Sequence, residues 1–432
     1  MDYREARAYL EDSAKYGSVF GLESMRQLLS RLGDPQDELR FIHISGTNGK
    51  GSVLAYLSTV LKEAGYRTGR YISPTLFHYR ERIQVDEQYI DQESLARLTG
   101  QTAEAAGQMV REGRPHPTAF ELETAIAFLY FKEKACDIVV LETGLGGLLD
   151  ATNVVNTTVM EVLTSISMDH MGVLGNSLAE IAENKAGIIK PETAVVSLKQ
   201  KPEAMAAIER VCREQNSRLY VADTEKASSV RYGYDEQHFS YGGYEDLKIS
   251  LAGAYQITNA VIAVEAVKVL NRLGFRISEE QLRRGLAETI WKGRFTVIAR
   301  DPVFIIDGAH NRDAAQTLKK SLELYFTNRR IFYIMGIFKD KEYEEIVKTT
   351  VPLSTHVITI ETPGNDRALA AGELLQTVRK YQPSSEMAGS IMEAVQKSLK
   401  MADKEDVIIA FGSLSFLGEI TRAVDTVRSA EL

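Results

Sequence analysis

The stretch RFIHISGTNGKGSVLAYLSTVLKEAGYRTGRYIS, residues 40–73, constrains this fold more than any other. Residues 40–46 predict a short strand. Residues 52–64 place Val53, Leu54, Leu57, Val60 and Leu61 on one helical stripe, and residues 66–73 predict a second strand. Two strands joined through a helix run parallel, because a tight turn can only reverse the chain. Residues 43–52, HISGTNGKGS, lack two elements of the common phosphate-loop pattern: Ile44 stands where it has glycine and Gly51 where it has Ser or Thr. Alone, the string reads either as a flexible turn or as an anion cradle. Its place between strand and helix favours the cradle, since loop N–H groups and the helix N-terminus attract an anion. Gly46, Gly49 and Gly51 permit close backbone approach, Lys50 adds a mobile charge, and Ser52 offers a hydroxyl to a cation.

The rest of the first half continues this pattern. A helix at 119–134 leads into DIVVLET, whose unbroken apolar run suits a buried parallel strand. Residues 159–167 and 193–198 predict further strands. Residues 226–250, rich in Tyr, Ser and Gly, predict hairpins decorating this domain, and a helix resumes at 254–272. WKGRF, residues 291–295, marks a junction. Beyond it PVFIIDGAHN, RRIFYIMGI, STHVITIE and DVIIAFGS predict four strands alternating with helices. The expected fold is therefore α/β. An N-terminal phosphate-loop (P-loop) domain with a mostly parallel sheet spans 1–297, and a smaller Rossmann-like domain spans 298–432. A chain of 432 residues is also too long for one ordinary core.

The net charge of −8 argues against a general nucleic-acid binder or a polybasic membrane surface. Cys136 and Cys212 form no metal-ligand spacing and no disulfide framework, which points to a reducing compartment. The polar N-terminus has no signal-peptide core and no apolar run spans a bilayer, so a cytoplasmic protein is the expectation.

Further strings follow in order: SPTLFHYRERI (73–83), FELETA (120–125), LETGLGGLLDATNV (141–154), TSISMDHMGVLGNSLAEIAENKAGIIK (164–190), LAGAYQITNA from 251, WKGRF and DGAHN from 307. Together with GTNGKGS they resemble the Mur-ligase superfamily, and within it the folylpolyglutamate synthase and dihydrofolate synthase family. The resemblance covers nearly the whole chain. It implies an ATP-dependent amide ligase that adds L-glutamate to a folate or dihydropteroate through an acyl phosphate. ATP is then a co-substrate, two Mg2+ ions are implied, and the partners are small molecules; a site complete within one chain points to a monomer.

Roles follow by resemblance. Gly46, Thr47, Asn48, Gly49, Lys50, Gly51 and Ser52 would bind ATP. Asn259 would read adenine, Arg294 would meet the phosphates, and Asp307 and His310 would serve the ribose and phosphate side. These residues come from both sides of the junction, which implies a nucleotide bound between domains. Ser52, Ser73, Glu142, His170 and Lys185 would hold metal, Lys185 as a carbamate. Lys50, Glu142, His170, Lys185 and Arg294 would carry catalysis. Gly21, Leu22, Glu23 and Ser24, Phe120, Glu121, Leu122 and Glu123, and Leu149, Asp150 and Ala151 match segments near the pterin. On the residues alone, Glu142 ends a buried parallel strand, where carboxylates meet ligands or metals, and a cap or surface acid is its lesser reading; His170 reads as structural, Lys185 and Lys190 as solvated lysines, and Phe120 and Leu149 equally as core. Five positions depart from the family pattern: Thr75 and Tyr255 replace histidines, Leu148 an arginine, Asn184 a glutamate and Lys292 a proline. Leu148 and Thr75 bear on acceptor choice. They leave open a bifunctional synthase or a polyglutamylase alone. A Mur ligase acting on a UDP-sugar peptide would need more chain before the glycine loop. A nucleotide-controlled switch, the remaining alternative, would not need Lys50, Glu142, His170 and Arg294 together.

Overall fold

The computed structural model describes residues 1–17 and 21–430. Two compact units divide the chain. The first comprises residues 1–227, 241–244 and 259–288; the second comprises 228–240, 245–258 and 289–432.

Among the described residues the first unit holds an eight-stranded sheet. Its strands are β1 (Phe41–Ser45), β2 (Thr68–Tyr71), β3 (Ile83–Val85), β4 (Gln88–Tyr89), β5 (Ile138–Glu142), β6 (Thr158–Leu163), β7 (Ala194–Leu198) and β8 (Arg218–Ala222). They lie in the order β4-β3-β2-β5-β1-β6-β7-β8. β2, β5, β1, β6, β7 and β8 are parallel, while β3 and β4 turn antiparallel at one edge. The central strands β1 and β5 are buried throughout, as sheets covered on both faces require. β8 has no sequence expectation behind it: it is an edge strand with mixed burial, so neither alternation nor an apolar run marks it.

The helix after the glycine loop, Lys50–Glu63, is buried from Gly51 through Leu61 rather than along one stripe. The helix Glu279–Glu288 crosses it closely at Gly285, where a Cβ would fall 2.6 Å from the Val60 Cα. A helix stretch enclosed on all sides is apolar all round, and from Gly51 to Leu61 this one keeps only small or hydroxylated residues among its aliphatics.

β9 (Ser228–Arg231), β10 (Gln237–Tyr241) and β11 (Tyr244–Ile249) form the small sheet predicted as hairpins. Most of their residues fall in the second unit, not the first. The second unit's main sheet contains β12 (Thr296–Ala299), β13 (Val303–Asp307), β14 (Ile331–Met335), β15 (His356–Thr359), β16 (Glu386–Met387) and β17 (Val407–Phe411), in the order β12-β13-β17-β14-β15-β16. Only β12 runs antiparallel. The four predicted runs are β13, β14, β15 and β17, and β12 joins this sheet from the junction. Phe295, Ile305, Tyr333, Ile409 and Phe411 centre its core.

Candidate active site

Strand order assembles the site. β2, β5, β1 and β6 are adjacent and parallel, so their C-terminal ends lie side by side. Ser73 follows β2, Glu142 ends β5, the glycine loop follows β1, and Asp169 and His170 follow β6. Ligands of open α/β sheets gather at this edge. Glu142 pairs in register with Ile44, two residues before Gly46, and is 5% exposed. Its Oε2 accepts the Ser73 N–H at 3.3 Å.

The glycine loop is braced against the end of β6. Thr47 N–H donates to the Ser165 carbonyl at 2.7 Å, and the Asn48 N–H reaches the same oxygen at 3.4 Å. The Asn48 carbonyl accepts the Thr164 and Ser165 hydroxyls at 2.8 and 3.1 Å. Thr47 Oγ1 bonds both the carbonyl and the N–H of Ser167 at 3.1 Å. Of the loop N–H groups expected to attract an anion, those of Thr47 and Asn48 thus hold the loop's shape. The helix Lys50–Glu63 opens directly after this braced segment, and the N-terminal end of a helix favours an anion. Gly49 precedes that turn at φ +92°, and a Cβ there would sit 2.5 Å from Asn259 Oδ1. Glycine is thus needed twice over, and Asn259 lies against the loop.

Two lysines meet at one carbonyl. Lys50 Nζ donates to the Gly46 oxygen at 3.1 Å, and Lys185 Nζ donates to it at 2.9 Å. Lys185 is 4% exposed near the end of the helix Leu178–Ala186, so it is no solvated lysine. Burial first, and the Lys50 charge second, push its amine down to about 7. Lys190 is not solvated either. Its Nζ donates to the Asn153 carbonyl and Oδ1 at 2.9 and 2.8 Å, and burial lowers it to about 8. Asn153 Nδ2 in turn donates to the carbonyls of Leu148 and Gly187, both at 3.0 Å. The strings DATN and KAGIIK thus form one clamp that fixes the 144–149 loop against the helix carrying Lys185.

Beneath the glycine loop, buried His43 on β1 bonds Thr152 Oγ1 at 2.9 Å. Thr152 donates to Asp150 Oδ1 at 2.5 Å, so His43 Nε2 must carry the proton. Nδ1 then has no partner among the described residues, and burial pushes the imidazole down to about 3. His43 is a neutral strut, a role with no signal in the sequence.

His170 is exposed, at φ +52°, with Nε2 4.0 Å from Asp169 Oδ1. Among the described residues no cluster of three or more His, Cys, Asp and Glu side chains could hold a metal ion. In the second unit Asp307 is buried, and Arg294 and His310 are half-buried beside it; His310 Nδ1 bonds the Gly308 carbonyl at 2.7 Å.

Residues 44–267 match the Mur ligase middle domain, and residues 293–414 match the Mur ligase glutamate ligase domain. A dihydrofolate synthase/folylpolyglutamate synthase of Bacillus subtilis is 35% identical over 435 residues, covering 97% of this chain and 98% of the relative. The chain belongs to the folylpolyglutamate synthase/dihydrofolate synthase family of Mur ligases. Solved members share the whole architecture. A folylpolyglutamate synthase of Thermotoga maritima is 34% identical, with a TM-score of 0.84 over 98% of this chain and 97% of that one. The Mycobacterium tuberculosis folylpolyglutamate synthase complexed with ADP and AMPPCP is 27% identical, with a TM-score of 0.88 over 99% of each chain.

Within this family the segments expected near the pterin divide by burial. Leu122, in the FELE string that matches a segment near the pterin, is fully buried in the core. Ala151 lies in the same core. Glu121 caps its helix, its Oε2 accepting the Thr118 N–H and hydroxyl at 2.7 and 2.9 Å. Glu123 pairs with Arg82 at 3.1 Å and accepts the Tyr79 hydroxyl at 2.6 Å. Asp150 also accepts the Leu145 N–H at 2.8 Å. Phe120 is half-buried against Tyr71, while Leu148 and Leu149 are 48% and 44% exposed. Gly21 and Leu22 are half-buried, Glu23 is exposed and bonds Gln27, and Ser24 is half-buried.

Proposed function

We propose that this chain is an ATP-dependent amide ligase that adds L-glutamate both to dihydropteroate and to reduced folates. The observation that carries this reading is Lys50 at the Gly46 carbonyl, with Glu142 on the neighbouring strand end. A site for triphosphate needs positive charge beside the glycine loop and an oxygen ligand for its cation. In the reaction the folate carboxylate attacks the γ-phosphorus, the bond to the bridging oxygen breaks, and ADP leaves. The glutamate amine attacks the acyl carbon, loses a proton, and the carbon–oxygen bond to phosphate breaks. Lys50 and Arg294 supply charge where it develops, and the braced loop supplies position.

Glu142, Ser52 and Ser73 offer oxygen donors of the kind Mg2+ prefers, and by family resemblance they would hold two magnesium ions with His170 and Lys185. Magnesium would neutralise phosphate charge when bound. Lys185 is suited to carbamylation: a buried amine brought down to about 7 is about half uncharged near neutral pH and can add carbon dioxide, releasing one proton. An intact mass lacking one added carbon dioxide in an active preparation would rule this out. Among the described residues no helix is long and apolar enough to cross a membrane, and we place the enzyme in the cytoplasm as a monomer.

The test is ADP release with ATP, magnesium and L-glutamate, run with dihydropteroate and with tetrahydrofolate in parallel. Mass spectrometry reads glutamate addition. Turnover with both is expected. Turnover with tetrahydrofolate alone makes it a polyglutamylase, and silence with both rejects the reading.

A further inference from the structure

Asp307, at the end of β13, is expected by resemblance to serve the nucleotide. Its carboxylate is already engaged by its own chain. Oδ2 accepts the Phe295 N–H at 2.7 Å and the Tyr255 hydroxyl at 2.9 Å, and Oδ1 accepts the Ala309 N–H at 2.8 Å. Phe295 sits at φ +45°, a left-handed conformation that a bulky residue adopts only when its surroundings enforce it. The enforcement is visible. Gly308 N–H donates to the Gly293 carbonyl at 2.9 Å, and the Phe295 ring packs 5.4 Å from that of Tyr325. Arg294, between these fixed residues, lies across Gly308, where a Cβ would fall 2.0 Å from its Nη1.

Tyr255 is itself anchored. The neighbouring Ala254 N–H donates to Ser321 Oγ at 3.0 Å, and Gln237 Nε2 holds the Leu251 and Gly253 carbonyls at 2.7 and 3.0 Å. Burial and the adjacent Asp307 raise the Tyr255 phenol well above its ordinary value, so it remains a donor. We propose that Tyr255 is a positioning residue for Arg294: by sharing Oδ2 of Asp307 with the Phe295 N–H, its hydroxyl locks the 294–295 turn and fixes the guanidinium over Gly308. Asp307 is then the hub of a bracket as well as a nucleotide neighbour. This inference rests on the reading that Arg294 meets ATP phosphates.

The test is steady-state kinetics on Tyr255→Phe, Tyr255→His, Arg294→Ala and the Tyr255→Phe/Arg294→Ala double variant of the full chain. Loss of one hydrogen bond to a charged group predicts about a tenfold fall in kcat/KM for ATP in Tyr255→Phe. The KM for acceptor and for glutamate stays unchanged. Tyr255→His restores activity, because an imidazole N–H can donate to the same oxygen. In the Arg294→Ala background Tyr255→Phe costs nothing further. A Tyr255→Phe enzyme as efficient as wild type, an equal fold-loss in both backgrounds, or a matching rise in acceptor KM overturns the proposal. Full ATP efficiency in Arg294→Ala instead rejects the phosphate role of Arg294 on which it stands.

Discussion

Replacing Lys185 with methionine separates what its amine does for the reaction from what it costs the fold. In buffer free of carbon dioxide the folded amine titrates at about 7, because burial and then Lys50 oppose its charge. An unfolded lysine titrates near ~10.4. Between these values the unfolded chain holds a proton that the folded chain lacks. Wild-type stability therefore rises with pH through that window, and it is flat below the folded value, where both states are protonated. Integrated from about pH 6 to about pH 9, the wild type gains roughly 2–3 kcal/mol that the methionine variant does not. The penalty is largest at the acid end, so the variant is the more stable protein there while losing roughly two or more orders of magnitude in turnover. Urea unfolding of both proteins across this range reads the difference directly. Parallel stability curves would refute the depressed amine, and a fully active variant would refute its place in the chemistry.

Lys50→Ala and Glu142→Ala each lose roughly two or more orders of magnitude in turnover, and near-normal ADP release in either would remove that residue from the site. Gly49→Ala forces a left-handed alanine costing ~1–2 kcal/mol and displaces Asn259, so the KM for ATP rises at least tenfold; an unchanged value would mean the loop relaxes freely. Leu122→Ala costs ~2–5 kcal/mol of stability while the acceptor KM holds, as its place in the core demands; a rise in that KM with little destabilisation would return Leu122 to the ligand site. Leu148→Arg restores the family pattern on an exposed loop and shifts the ratio of dihydropteroate to tetrahydrofolate turnover without affecting the KM for ATP. An unchanged ratio would clear Leu148 of any part in acceptor choice.

Much of the fold was legible in local pattern. The strand, glycine loop and helix at 40–64 announced a parallel sheet, because that connection leaves no other arrangement. Apolar runs marked β5, β13, β14 and β17, since a strand covered on both faces needs no alternation. Edge elements were not legible. β8 and β16 are exposed or short, and β12, just past the junction string 291–295, carried no strand expectation.

The sequence by itself determined which chemical groups are present and, through the order of its strings, to which family they belong. Lys50, Glu142, His170, Lys185 and Arg294 were all named that way. What only the tertiary structure decided is how those groups behave. A lysine at position 185 reads as solvated in one dimension; folding buries it, sets it beside Lys50 at the Gly46 carbonyl and lowers its amine. Glu121, Leu122, Glu123 and Asp150 sit in strings that match a pterin site, yet their side chains are engaged in caps, core and ion pairs. Tyr255 and Asp307 lie 52 residues apart and meet only because β13 ends beside the segment leading into the helix Gln256–Arg272. Burial, charge proximity and shared hydrogen bonds act through space, and residue order alone does not fix which distant groups come within their range.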